Sequence, residues 1–147
     1  MFYNILKHAH SGLRWVAILL LVIVFISALR RFLSKDAYQE IDRKFSLYAL
    51  IGVHLQLVIG LVLYFISPKV QFASETMESP ILRFYTVEHL TIMLIAIALV
   101  TIGYSRAKRV PTDEQKFQAT LIFYGLGLAL IIIGIPWPFR GMGTGWF

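Results

Sequence analysis

The sequence predicts an all-α membrane protein with four transmembrane helices in an up-down bundle. Two observations predict this class. Of its 147 residues, 58% are hydrophobic and 15% are charged, whereas soluble domains are about half apolar and a quarter charged. Four apolar stretches are also each long enough to cross a bilayer, which takes about 20 residues of helix.

The helices are expected within a single domain, residues 1–147, at about residues 12–33, 45–66, 80–107 and 113–135. The connections carry residues that commonly begin or end helices. Pro68 follows the second helix, Ser79 and Pro80 precede the third, Thr112 precedes the fourth, and Pro136 follows it. Each apolar stretch therefore has punctuation that favours a separate helix.

The lysines and arginines predict how the helices are oriented. Nine of the 14 lie in or beside the connections between helices one and two and between helices three and four, and five lie on the other side. Because basic residues are enriched on the cytoplasmic side, we predict both termini on the outer, periplasmic side of a bacterial inner membrane. The net charge of +6 is explained by this orientation, so no nucleic-acid binding is expected.

Four histidines, His8, His10, His54 and His89, lie in or beside the apolar stretches. An ionisable side chain at membrane depth is costly, so each marks a candidate site. Counting about 1.5 Å per helical residue from the cytoplasmic ends places His10 and His89 at one depth near the outer side, with His54 closer to the middle. His8 is interpreted as a solvated residue at the interface.

The level pair His10 and His89 predicts a haem b site. Helices one and three are diagonal in an up-down bundle, and two imidazoles on a diagonal can serve as axial ligands. Small residues below each histidine would leave room for a flat ring, or would equally serve close helix packing. His54 is either a third metal ligand or a core histidine bonded to a hydroxyl or carbonyl. Met93, on the face of His89, is the thioether near the histidines.

Arg14 and Glu88 are costly charges at similar depth near the outer end. A salt bridge between them is the first interpretation. The alternative is that Arg14, one turn from His10, binds a haem propionate. Glu88 would then orient His89 or relay protons to a quinone.

Two polar side chains lie on stripes of small residues. Gln56, on helix two, is expected to hydrogen-bond across to a neighbouring helix or subunit. Tyr124, on helix four, is first a packing residue and second a candidate for a bond to a cofactor or quinone. The irregular segment after Pro136 is expected to cap the bundle or dock a partner.

Several stretches resemble a family of small bacterial four-helix membrane proteins labelled cytochrome b-like. They are HAHSGLRW at 8–15, HLQL at 54–57, YFISP at 64–68, EH at 88–89 and IPWPF at 135–139. The resemblance runs along nearly the whole chain and implies haem ligation by His10, His54 and His89. The chain departs from di-haem four-helix cytochromes because its cytoplasmic half has no histidine, so at most one haem is expected.

These observations favour a b-type haem protein or subunit for electron transfer, with a quinone as a candidate partner, rather than a stand-alone enzyme. An alternative is a cofactor-free accessory subunit that packs into a larger membrane complex or a homo-oligomer. A third is a histidine-lined copper or proton site, which is less favoured because no carboxylate lies deep in the membrane. The absence of cysteine excludes disulfides, thiolate-ligated clusters and covalently attached haem.

Overall fold

The computed structural model describes residues 1–146. It contains four long helices, each long and apolar enough to cross a membrane: α1 (Phe2–Leu33), α2 (Glu40–Ile66), α3 (Pro80–Ala107) and α4 (Asp113–Gly134). Short 3-10 helices lie at Ser74–Met77 and Pro138–Arg140. The predicted all-helical fold with four candidate membrane spans is therefore confirmed.

The helix boundaries differ from the prediction mainly at the starts of α1 and α2. α1 begins at Phe2 rather than near residue 12, and α2 begins at Glu40 rather than near residue 45. The apolar runs mark only the part of each helix that suits a bilayer, and hydrogen bonding continues into the polar residues beyond. Gly12 does not interrupt α1. His8 and His10 are therefore helical residues.

The topology puts α1 and α3 on a diagonal, as predicted. α1 packs against α2 and α4, while α3 packs closely against α4 and more loosely against α2. The buried residues of each helix recur at helical spacing and so lie on one face. They include Ala17, Leu21, Val24 and Ala28 of α1, Ala49 and Gly52 of α2, Ala96, Val100 and Gly103 of α3, and Thr120, Tyr124, Gly127, Ile131 and Gly134 of α4.

Glycine allows α3 and α4 to approach closely. A Cβ atom added at Gly127 would lie 2.7 Å from Val100 Cγ2 and 3.1 Å from the carbonyl oxygen of Ala96. Such distances are too short for a side chain, so the backbone of α4 lies directly against α3. Small residues give transmembrane helices this kind of contact.

The Tyr124 hydroxyl has a structural partner. It donates a hydrogen bond of 2.8 Å to the carbonyl oxygen of Ser46, within the buried core between α4 and α2. The first interpretation of Tyr124, as a packing residue, fits this contact, because its hydroxyl links α4 to the backbone of α2.

The segment after α4 folds back over one end of the bundle and confirms the expected cap. Arg140 donates to the carbonyl oxygens of Ile133 and Ile135 at 2.9 and 3.0 Å, which helps to satisfy the last carbonyls of α4. We call this the histidine end, because His10 and His89 lie there. The opposite end, with connections 34–39 and 108–112, is the basic-loop end.

We expect Gly127→Ala to destabilise the bundle, because the added methyl group must displace Val100 or the α3 backbone. Overpacking of this kind costs about 1–3 kcal/mol. Thermal unfolding in detergent, followed by circular dichroism, measures the change. The matched control is Gly12→Ala, where an added Cβ has no atom within 4 Å. Equal unfolding temperatures for the two variants would contradict the close approach of α3 and α4.

Candidate functional site

A single π-helical turn, Phe84–Glu88, lies directly before His89 in α3. A π turn changes the rotation of the residues on either side of it and leaves backbone groups that need other partners. Tyr64 of α2 supplies one by donating to the carbonyl oxygen of Thr86 at 2.8 Å. The turn is thus fixed from α2, and His89 begins the regular helix that follows.

The rings of His10 and His89 meet at the histidine end. Their centroids are 6.5 Å apart and their planes are inclined at 76°. The two residues come from the diagonal helices α1 and α3, and their rings meet at one level of the bundle. The structure therefore brings together the pair of histidines that the sequence selected.

The protonation of His89 is set by the end of α4. His89 Nδ1 lies 2.8 Å from the carbonyl oxygen of Gly134. A carbonyl can only accept, so Nδ1 carries the proton and Nε2 keeps its lone pair in the neutral ring. The Gly134 carbonyl is free because its helical partner would be the amide of residue 138, which is proline. Metal-binding histidines are commonly oriented through such a bond.

His10 is held by contacts from α2. A Cβ added at Gly60 would lie 3.1 Å from His10 Cε1, so the absence of a side chain there leaves room for the ring. Gln56 Nε2 donates to the His10 carbonyl oxygen at 2.9 Å, which confirms the expected bond across helices. Gly60 and Gln56 lie one turn apart on the small stripe of α2, so this stripe positions His10.

A cavity of about 190 Å³ lies among the four helices at the histidine end, with His10, His89 and Met93 in its lining. Three buried polar atoms of its lining residues have no hydrogen-bond partner in the described chain: His10 Nδ1, Arg14 Nε and Gln56 Oε1. Buried polar groups in native proteins are almost always paired. The cavity therefore lies beside polar atoms that the described chain leaves without a partner.

The cavity is also lined by two cations at the histidine end, Lys7 and Lys69. Lys69 Nζ donates to the carbonyl oxygen of Gly143 at 2.8 Å and lies 4.6 Å from the centre of the Tyr85 ring. Partial burial, and then the positive charge of Lys7, lower the pKa of Lys69. Two neighbouring ammonium groups in one lining favour an anionic group there.

Arg14 and Glu88 do not form the salt bridge expected from their depth. Arg14 Nη2 donates to the carbonyl oxygen of Trp146 at 2.7 Å. Glu88 pairs with Arg83 at 2.7 Å. Residues five apart do not share a face in an α-helix, but a π turn, with its i to i+5 hydrogen bonds, brings such residues closer together around the helix axis. The π turn is thus the physical reason for the correction.

His54 lies apart from the other candidate ligands. It is exposed on the outer face of α2, outside the cavity lining, and its Nδ1 lies 2.8 Å from the carbonyl oxygen of Leu50 in its own helix. The structure therefore does not bring His54 together with His10 and His89. The interpretation of His54 as a buried core histidine is wrong. His8 is also exposed, consistent with its interpretation as a bystander.

Comparison of the chain with protein-family models, curated proteins and solved structures finds no match. Within residues 1–146, no three or more histidine, aspartate or glutamate side chains are grouped to hold a metal ion. The site therefore consists of two imidazoles, the Met93 thioether and a cavity bordered by unpaired polar atoms.

We expect Glu88 to couple energetically to Arg83 and not to Arg14. A double-mutant cycle on unfolding free energy with Glu88→Gln and Arg83→Gln should give a coupling of about 0.2–1 kcal/mol, the range for exposed ion pairs. The cycle of Glu88→Gln with Arg14→Gln should be additive. Coupling in the second cycle and none in the first would restore the salt bridge that depth counting suggested.

Proposed function

We propose that this chain is a b-type membrane protein that transfers electrons with one haem, held between His10 and His89. The observation that carries the proposal is the 6.5 Å separation of the two ring centroids at the cavity. A metal–nitrogen bond is about 2 Å long, so imidazoles on opposite sides of one metal have centres roughly 6 Å apart. The separation therefore fits two axial ligands of one iron.

The number of ligands favours haem over a bare metal ion. Structural zinc takes four protein ligands and catalytic zinc takes three. Haem iron receives four nitrogen ligands from the macrocycle and needs only axial ligands from the protein. Two histidines thus complete a haem site but not a zinc site. A copper site would use Met93 as a further soft ligand, and it is less favoured because Met93 packs against Gly134 of α4.

Each residue of the site has a role in this proposal. His89 would offer Nε2, because Nδ1 is committed to the Gly134 carbonyl. His10 would be the second ligand, with Gln56 fixing its backbone. Arg14, Lys7 and Lys69 would face the two propionate carboxylates. When bound, haem supplies one-electron chemistry, and the apolar wall limits water and so influences the reduction potential.

Haem binding requires the bundle to open. The cavity of about 190 Å³ is smaller than the roughly 300–1,000 Å³ typical of cofactor sites. α2 and α3 make the loosest contact among the neighbouring helix pairs. We therefore expect the widening to occur between these two helices, while the tight α3–α4 contact keeps His89 on the Gly134 carbonyl.

The proposal includes an orientation and a location. The excess of basic residues at the basic-loop end supports an arrangement with that end in the cytoplasm of a bacterium and the histidine end outside the inner membrane. The haem would then exchange electrons with a quinol or with a protein that reaches the outer side. The helices also expose many apolar side chains, which suit lipid, a larger complex or a second copy.

A reduced-minus-oxidised spectrum of protein purified from haem-supplied cells should show a b-type α band. His10→Ala and His89→Ala should each abolish the band, because each removes an axial ligand. His54→Ala is the matched control and should retain it, since His54 lies outside the cavity. A colourless wild-type protein that co-purifies with a larger complex would favour the accessory-subunit alternative, and loss of the band in His54→Ala alone would identify a different ligand.

Gly60→Leu should lower haem occupancy while the protein remains folded, because the new side chain competes with the His10 ring for space. Overpacking of about 1–3 kcal/mol corresponds to roughly a 5- to 150-fold loss of affinity. Haem titration of the apoprotein, with circular dichroism as the check on folding, measures this. Gly12→Leu is the control and should bind haem as wild type does. Equal affinities for both variants would show that Gly60 does not shape the site.

A further inference from the structure

A second pocket, of about 290 Å³, lies at the basic-loop end and is separate from the histidines. It is formed where α2 begins, α3 ends and α4 begins. Its lining consists of Tyr38, Gln39, Glu40, Arg43, Tyr104, Ala107, Lys108 and Lys116. The proposed haem function makes no use of this pocket.

Three cations from three different parts of the chain converge on the pocket: Arg43, Lys108 and Lys116. Glu40 is the one carboxylate in the lining, and it pairs with Arg43 at 2.5 Å. Lys116 pairs with Asp113 at 2.8 Å. Lys108 takes part in none of the ion pairs found between residues 1 and 146. The lining therefore carries more positive than negative charge.

Two phenol side chains hold this charge in place. Lys108 Nζ lies 5.6 Å from the centre of the Tyr104 ring, and Lys116 Nζ lies 5.5 Å from that of Tyr38. Contacts of this kind fix an ammonium group against an aromatic face. Burial raises the pKa of Tyr38, so its hydroxyl stays protonated. The pocket thus offers ammonium groups held beside uncharged phenol rings.

We propose that this pocket binds the phosphate group of an anionic phospholipid. Phosphate oxygens accept hydrogen bonds from ammonium, guanidinium and hydroxyl donors, and the charge makes these bonds strong. The pocket lies at the ends of the apolar spans, where lipid headgroups are found, and its volume suits a headgroup. Basic pockets between transmembrane helices are known to take phosphate-bearing headgroups. This inference does not depend on haem.

Lipid titration of the detergent-purified protein, read out by native mass spectrometry, tests the proposal. Phosphatidylglycerol should be retained in preference to phosphatidylcholine. Lys108→Gln and Lys116→Gln should each weaken phosphatidylglycerol binding about fivefold, the effect expected for one cation near an anionic headgroup. Arg109→Gln is the matched control, because it removes the same charge from the same connection but does not line the pocket, and it should leave binding unchanged.

Two results of this titration would overturn the proposal, and a competition experiment supplies a third. One is an equal loss of binding in Arg109→Gln, which would show that general surface charge attracts the lipid. The other is equal retention of phosphatidylglycerol and phosphatidylcholine. Titration with inorganic phosphate distinguishes the source of the ligand. Displacement of the lipid only by other anionic lipids supports the proposal, whereas displacement by millimolar inorganic phosphate would assign the pocket to free phosphate.

Discussion

The hydrogen bond from His89 to the carbonyl of Gly134 is the contact on which the histidine end depends. It exists because α4 ends before Pro138, which lacks the amide that would otherwise occupy that carbonyl. In hydrocarbon, an unsatisfied carbonyl costs several kcal/mol. The bond therefore stabilises the end of α4 and also fixes the orientation of the His89 ring. Gly134 also lacks a side chain where a Cβ would collide with Met93 and Ile92. The close approach of α3 to α4 therefore determines where one imidazole lies.

The second constraint is the π turn in α3, which connects this ring to the rest of the bundle. Thr86 of the turn accepts a hydrogen bond from Tyr64, and Glu88 reaches back to Arg83. A regular α-helix would satisfy the Thr86 carbonyl within the helix and would not bring Arg83 and Glu88 onto one face. π turns are frequent at functional sites, and here the turn ends at the residue that completes the histidine pair.

The sequence was sufficient for the number of helices and the meeting of His10 with His89, because apolar length and the 3.6-residue period determine these features. It was insufficient wherever the period breaks. The predicted partner of Glu88 was wrong, because depth counting treats α3 as a regular α-helix and takes no account of the π turn. The start of α1 was missed because polar helical residues carry no apolar signal. The position of His54 was not predicted because the sequence does not show how α2 is rotated about its axis. In the structure, the face of α2 that carries His54 points outward.

The two ends of the bundle differ in a way that limits what one haem could do. The histidine end holds unpaired polar atoms beside an apolar cavity. The middle of the bundle is filled by close-packed residues such as Leu21, Val100 and Tyr124. α3 alone is about 42 Å long at 1.5 Å per residue, so a haem at the histidine end would lie far from the opposite surface. No second pair of histidines continues the path within residues 1–146. Electrons would therefore enter and leave on the side of His10 and His89, or pass sideways to a partner in the membrane.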